Sequence, residues 1–276
     1  MTLHRFWEIT RDTTLNLGLR YGLAAGIVWL LGYVIFKRQW LRRKIIAKFP
    51  NSADLRREII YSALSVIIFS LVAAGTYFAV KQGWTQAYLR LAKHSPAWFW
   101  TSIVLAIFLH DAWFYWTHRL MHHPRLFRLC HRTHHLSHNP TPWAAYSFSP
   151  LEAFTQALIF PITLMLIPMH PYAFGLVMIW QIAFNIAGHS GFEIYPSWLM
   201  RTPLKYILNT PTNHVMHHET LRGNYGLYFN IWDRLMRTNN ANYEARFLEV
   251  TRRRPAQTAA TEPTPPAPFP QSREAT

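Results

Sequence analysis

Residues Ile59–Val80 read IIYSALSVIIFSLVAAGTYFAV, 22 consecutive residues without a formal charge, fenced by Glu58 and Lys81. About 20 apolar residues cross the hydrocarbon core of a bilayer as one helix, so this stretch is expected to span a membrane. Working outward, Tyr21–Phe36 is a second span, extended back to Leu15 with Arg20 snorkelling to the interface. Ala97–Thr117 is a third, carrying Asp111 near its far end. Ala153–Phe192 supplies 40 uncharged residues, too many for one helix. Pro161, Pro168 and Pro171 interrupt that run, and Ile167–Pro171 (IPMHP) reads as the tip of a helical hairpin. The pattern predicts an all-α, polytopic membrane bundle with five passes. The first span is expected to stay as an anchor, because a basic run and no small-residue cleavage site follows it.

The chain has 28 Lys+Arg against 13 Asp+Glu, a formal charge of +15. Such an excess points first to nucleic acid or to an anionic membrane surface. Its distribution decides for the membrane. The segment 37–58 alone holds eight basic residues. Placing it in the cytoplasm puts 22 Lys/Arg on that side and six on the other, the asymmetry that orients membrane proteins. The N-terminus is then outside and the C-terminus cytoplasmic. No zinc finger, RNA-binding aromatic strand or basic helix argues for nucleic acid. A single cysteine, Cys130, excludes disulfide scaffolds, Cys-ligated zinc and iron–sulfur clusters.

The 15 histidines outnumber all the acids, and most fall in short clusters. The first is His118, His122 and His123; the second is His131, His134 and His135; the third is His214, His217 and His218. Residues three and four apart share a helix face, so each HxxHH projects its imidazoles to one side. Together the clusters offer enough ligands for two metals, gathered at the predicted cytoplasmic edge in a helical cap. His189, after the hairpin, returns to the same edge as a further candidate. Imidazole suits iron, zinc and copper alike, so the ligand type alone does not choose the metal. The scarcity of nearby acids (Asp111, Glu152, Glu193, Glu219 and Asp233) means carboxylates cannot dominate the ligand set. Asp111, two turns before His118, is placed to orient a ligand N–H, and Asp233 is the other candidate for that task. Glu152 reads equally as a first-turn carboxylate on a helix dipole.

The stretches HDAWFYWTHRLMHH, HRTHH and NHVMHH resemble the three histidine boxes of the fatty acid hydroxylase/sterol desaturase superfamily. SFSPLEA and GNYGLYFNIWDRLMRT are similar to that family as well, and the likeness covers roughly residues 98–240. It implies an integral membrane enzyme with a cytoplasmic-side dinuclear centre, two iron ions when active. Such an enzyme uses dioxygen as co-substrate to hydroxylate or desaturate lipid C–H bonds. The resemblance carries ligand roles onto His118, His122 or His123, His131, His134, His135, His214, His217 and His218, with His189 as a further ligand. Where some relatives have a second histidine four positions beyond, this chain has Glu193, which would ligate, support a ligand, or mark a branch that differs at this position.

The organisation expected is therefore membrane helices and a basic loop over 1–97, a fatty acid hydroxylase-like region over 98–250, and a disordered Pro/Ala/Thr-rich tail over 251–276. Hydroxylation is expected over desaturation, on a sterol, sphingoid base or fatty acyl chain. No flavin, haem or dinucleotide-binding pattern is present, so a separate NAD(P)H-linked reductase or small electron carrier is implied. Trp143, Tyr146, Phe148 and Phe154 are candidates to line a lipid path to the metals. A compact chain without a retrieval-type C-terminus suggests a bacterial inner membrane. The competing reading is a membrane metal-binding or metal-transport protein, although transport would place ligands near the bilayer midplane.

Overall fold

A computed structural model describes residues 2–253. The tail expectation from Arg254 onward falls outside the described residues. Among those described there is no β-strand, only isolated bridges at Lys44–Phe192 and Leu208–Phe229.

Four helices are long and apolar enough to cross a membrane. The first, α1 (Leu3–Trp29), continues as a wider π-helical stretch to Ile35. A short α2 (Lys37–Trp40) leads to α3 (Ser52–Lys81), which contains the opening uncharged stretch. Asn51 caps α3 by accepting a hydrogen bond from the Asp54 amide at 2.7 Å. The third long helix, α4 (Pro96–Met121), starts on a Ser95 cap with Pro96 in its first turn. After α5 (Pro124–Cys130) and α6 (Arg132–His135), the chain re-enters the bundle through α7 (Pro150–Ala157) and α8 (Ile159–Leu166). The fourth long helix is α9 (Pro171–His189). Three short helices close the chain: α10 (Pro211–Thr220), α11 (Ile231–Leu235) and α12 (Tyr243–Arg252).

The hairpin is present, and its tip reaches the end of the bundle opposite the histidines, where the Tyr88 amide donates to the Met169 carbonyl at 3.1 Å and Trp98 Nε1 to the Pro168 carbonyl at 2.9 Å. α7 and α8 break at Leu158 and together form an apolar segment of Pro150–Leu166, shorter than the spanning helices. Pro161 explains the break, since it has no N–H for the Ala157 carbonyl and its ring crowds that turn. The final helix also runs two residues past the expected 250 boundary.

The long helices pack around small and aromatic side chains. Gly18 of α1 lies against Val66 of α3, and Tyr21 stacks on Tyr146 at a centroid distance of 4.4 Å. Tyr21, Ala25, Val66, Phe69, Tyr146, Phe148 and Ile186 belong to one buried cluster that joins α1, α3 and α9 to the segment before α7. The lower end of α1 is tied to the cap, where the Tyr33 hydroxyl donates to the Ser190 carbonyl at 2.9 Å. Lys44, fully buried, donates to the Asn139 side chain at 2.7 Å, and the Ile45 amide donates to the Gly191 carbonyl at 3.0 Å. The cap is therefore clamped to the bundle by hydrogen bonds at the same end where α4 and α9 finish.

Candidate metal centre

The histidine helices converge because each begins or ends where its side chains are needed. His118 lies in the last turn of α4, and His122 is the residue that ends it. His131 sits at the junction of α5 and α6, with His134 and His135 at the end of α6. His189 is the last residue of α9. Thr210 caps α10, which carries His214, His217 and His218, and the Glu193 carboxylate accepts from the Thr212 amide at 3.0 Å in the same first turn.

Nine imidazoles separate into two groups, each able to hold one metal ion. His118, His122, His131, His135 and His217 form the first, and His134, His189, His214 and His218 the second. Within each group the candidate ligand atoms lie within 4.8 Å of one another. The helical spacing is used twice and in reciprocal fashion. His131 and His135, four apart, enter the first group while His134 enters the second. His214 and His218, four apart, enter the second while His217 enters the first.

The ring nitrogens face one another at distances that suit a shared ion. His122 Nε2 is 3.1 Å from both His217 Nε2 and His135 Nε2. His189 Nε2 is 3.2 Å from His134 Nε2 and 2.9 Å from His214 Nε2. Two nitrogens bound at right angles to one ion at about 2.1 Å lie about 3 Å apart. In four of the nine rings the opposite nitrogen is held by a short hydrogen bond. Nδ1 of His118 donates to the Tyr225 carbonyl (2.9 Å), that of His189 to Asn185 (2.8 Å) and that of His217 to Gly223 (2.6 Å). Nδ1 of His131 donates to the Glu152 carboxylate at 2.7 Å. These bonds select the tautomer that leaves Nε2 with a free lone pair, and they aim the ring. His118 Nε2 and His131 Nε2 have no hydrogen-bond partner although fully buried. Buried lone pairs that converge without partners are costly by themselves, and a metal ion satisfies them. The residues fit a metal.

Burial also holds the cap histidines neutral. His122 is pushed down to about 4 by burial, and His131, His134, His135, His214, His217 and His218 fall well below the ordinary imidazole range for the same reason, helped by neighbouring imidazoles. Neutral imidazole is the form that binds metal.

Four expectations change. His123 is exposed and lies outside both groups; it is the residue before α5, where its Nδ1 accepts from the Arg125 amide at 3.4 Å. Glu193 is also outside both groups: its two oxygens accept from the Tyr195 amide (2.9 Å) and the Thr212 amide, so it braces the start of α10. Asp111 orients no imidazole; one oxygen accepts from the Tyr228 and Phe229 amides at 2.9 and 3.2 Å. Asp233 accepts from the Tyr225 amide (2.9 Å), the Gly226 amide (2.7 Å) and the Thr238 hydroxyl (2.7 Å). Both aspartates therefore hold the 223–229 loop, and that loop in turn presents carbonyls to His118 and His217. Glycine is required there twice. Gly223 has φ +70°, and a Cβ on Gly226 would come within 2.6 Å of the Phe229 carbonyl.

Glu152 is the residue that sequence reading left without a ligand-orienting role. Ser149-Pro150-Leu151-Glu152 carries the local capping signal, and Ser149 does accept from the Glu152 amide at 3.2 Å. Its carboxylate, however, reaches His131 across 21 residues of sequence, a contact no local pattern encodes. His110 and His138 lie outside both groups.

Fold and site together define a helical protein with four candidate membrane spans and a polyhistidine site for metal at one end of the bundle. Residues 103–238 match the fatty acid hydroxylase family. The chain belongs to the fatty acid hydroxylase/sterol desaturase superfamily. It is 28% identical over 176 residues to a Delta(7)-sterol 5(6)-desaturase of Gibberella zeae, covering 64% of this chain and 53% of that one. It is 29% identical over 188 residues to the lathosterol oxidase of Mus musculus, covering 66% and 60%. A Delta(7)-sterol 5(6)-desaturase of Aspergillus fumigatus is 30% identical over 204 residues, with 65% and 60% covered. The chain thus spans between half and two thirds of the length of these relatives. No solved structure matches it.

Proposed function

We propose that this protein is a membrane-bound oxidoreductase that uses dioxygen and two iron ions to oxidise a C–H bond of a lipid, with hydroxylation as the outcome. The observation that carries the reading is the division of nine imidazoles, eight of them buried and that of His122 half-buried, into a five-membered and a four-membered group with their lone pairs converging. Zinc held for structure alone needs only four ligands, and this site offers twice that. Relatives named as sterol desaturases and as lathosterol oxidase make a sterol the first lipid to test.

Bound iron would supply the dioxygen activation that an unactivated C–H bond demands and that acid–base side chains cannot provide. The net change is a C–H bond, dioxygen, two electrons and two protons going to an alcohol and water. His118, His122, His131, His135 and His217 would hold one ion, and His134, His189, His214 and His218 the other. Nine neutral ligands leave the centre cationic, and the Glu152 carboxylate behind His131 offsets part of that charge. The carbonyls of Gly223 and Tyr225, fixed by Asp111 and Asp233, keep two of the rings in line. The electrons come from a separate NAD(P)H-linked reductase or small carrier docking on the basic side of the membrane. The Lys/Arg asymmetry supports an orientation with the histidines and the C-terminus in the cytoplasm.

Lipid mass spectrometry of a host producing wild type beside a His134→Ala, His135→Ala variant tests this. One added oxygen atom in a lipid, dependent on dioxygen and lost in the variant, is the expected result. A product lacking two hydrogens would make the reaction a desaturation. No difference, with iron loaded and a reductase supplied, would remove the oxygenase reading.

A further inference from the structure

A cavity of about 500 Å³ lies among α1, α3, α8 and α9, with Tyr146, Phe160 and Gln181 in its wall. A second, very small cavity of about 10 Å³ shares Phe69, Phe160 and Gln181 with it and continues to His110, Phe114, Phe148, Gln156 and Asn185. This neck reaches the metal centre. Phe148 packs against the His134 ring at 5.1 Å and Phe114 against the His118 ring at 5.0 Å. The Asn185 carbonyl is the acceptor for His189 Nδ1. Of the aromatic candidates from the sequence, Tyr146 and Phe148 line this path, whereas Trp143 and Phe154 do not.

The neck is polar where an aliphatic passage would be expected to be apolar. His110, Gln156 and Asn185 are 5%, 7% and 1% exposed. His110 Nδ1, Gln156 Oε1 and Asn185 Oδ1 are buried without a hydrogen-bond partner. Their other polar atoms are partly spoken for: Gln156 Nε2 donates to Thr117 Oγ1 at 3.4 Å and Asn185 Nδ2 to the Ala145 carbonyl at 2.9 Å. His110 is held flat between Tyr228 and Phe160, at centroid distances of 5.4 and 6.2 Å. Three unpaired polar atoms in one narrow neck, each costing about 1–3 kcal/mol when left unsatisfied, point to a ligand with a polar end that both donates and accepts.

We propose that the neck receives a hydroxyl group of the substrate, so that an alcohol-bearing lipid enters hydroxyl end first with its apolar body in the larger cavity. This rests on the lipid-oxidation reading above and narrows its substrate class. One of the two amide oxygens accepts the single hydroxyl hydrogen, and the hydroxyl oxygen accepts from His110 Nδ1 when that nitrogen carries the proton. The volume admits one oxygen atom and not a carboxylate or phosphate. No Lys or Arg lines the neck, so an anionic end would be buried without a counter-charge. A bare alkyl end would leave the three polar atoms unpaired. His110, Gln156 and Asn185 are thereby positioning residues that place carbons near the hydroxyl beside the metals.

Equilibrium binding to the purified, iron-loaded enzyme tests the inference with two matched probe pairs: a tritiated 3-hydroxysterol with its 3-deoxy analogue, and a long-chain 1-alkanol with its alkane. At least one alcohol should bind roughly tenfold or more tightly than its partner, and Gln156→Leu or His110→Phe should cut that ratio to within about threefold. Iron content and thermal unfolding show whether each variant is folded, and either folded variant suffices. No preference for alcohol in either pair, or a preference unchanged in a folded variant, would overturn the proposal. Product formation is scored separately. An alcohol preference without an oxidised product would sink the enzymatic reading and leave the hydroxyl site standing; oxidation without the preference does the reverse.

Discussion

His134 and His135 are adjacent in sequence, yet their rings stand 79° apart and turn into different groups. His134 faces His189 and His218, and His135 faces His122 and His217. Neighbours on a helix are about 100° apart, so an HH pair is a natural divider between two ions. Replacing each one singly should therefore have different effects. His134→Ala removes one of four imidazoles from the smaller group and should lower bound iron from two per chain to about one. His135→Ala leaves four imidazoles in the larger group and should keep two ions while losing activity. Metal analysis of purified protein separates these outcomes, and equal metal loss in both would contradict the division.

Glu152 behind His131 makes a second case. The carboxylate both fixes the ring and offsets ionic charge, and outer partners of this kind typically contribute 10–100-fold to metal affinity or turnover. Glu152→Ala should cost about that much. Glu152→Gln keeps an acceptor for His131 Nδ1 and should cost only a few-fold. A chelator competition against both variants measures it, and the two falling together would show that charge, not orientation, is the larger contribution.

How far the sequence foretold this site depends on whether the relevant contact was local. The boxes were legible because HxxHH spacing alone determines which side of a helix three rings share. The choice of His122 over His123 was not, since it turns on where α4 ends: His122 still follows the helix, whereas His123 has already left it to begin α5. Asp111 was expected to touch a ligand two turns along its own helix. It serves the 228–229 amides instead, 117 residues away, because two buried N–H groups need an acceptor more than a ring already served by Tyr225. In the 223–229 loop the positive φ sits at Gly223 and Asn224, and Gly226 is needed for close approach. Among the spans, Pro161 signalled an interruption, and the chain breaks one turn before it, at Leu158 between α7 and α8.

The loop carboxylate gives a prediction on stability. Asp233→Ala removes the acceptor for two backbone amides and the Thr238 hydroxyl in a fully buried place. A loss of about 3 kcal/mol is expected, along with weaker metal binding, because Gly223 and Tyr225 lose their fixed carbonyls. Gly223→Ala should also destabilise, because the left-handed backbone costs a side chain about 1–2 kcal/mol and the new Cβ would in addition collide with the Thr238 backbone carbonyl. Thermal unfolding beside metal titration tests both, and unfolding midpoints equal to wild type would show that the loop is not held as described.

Lys44 supplies a pH dependence away from the histidines. Its ammonium is fully buried against Tyr33 and Phe192, and burial pushes it down to about 7 from an ordinary value of 10.5. Between about pH 7 and pH 10.5 the unfolded chain therefore holds a proton at this position that the folded one has released. Stability contributed by this site rises with pH across that window and is flat below and above it. Lys44→Met removes the ionisation and keeps most of the stem volume, at the loss of the bond to Asn139. The unfolding temperature of wild type should then climb relative to the variant by on the order of 5 °C from pH 7 to pH 10, in the presence of the same iron load. Parallel curves across that range would mean that Lys44 keeps its proton in the folded protein, and that its charge is balanced by Glu58 and Glu219 more fully than its burial implies.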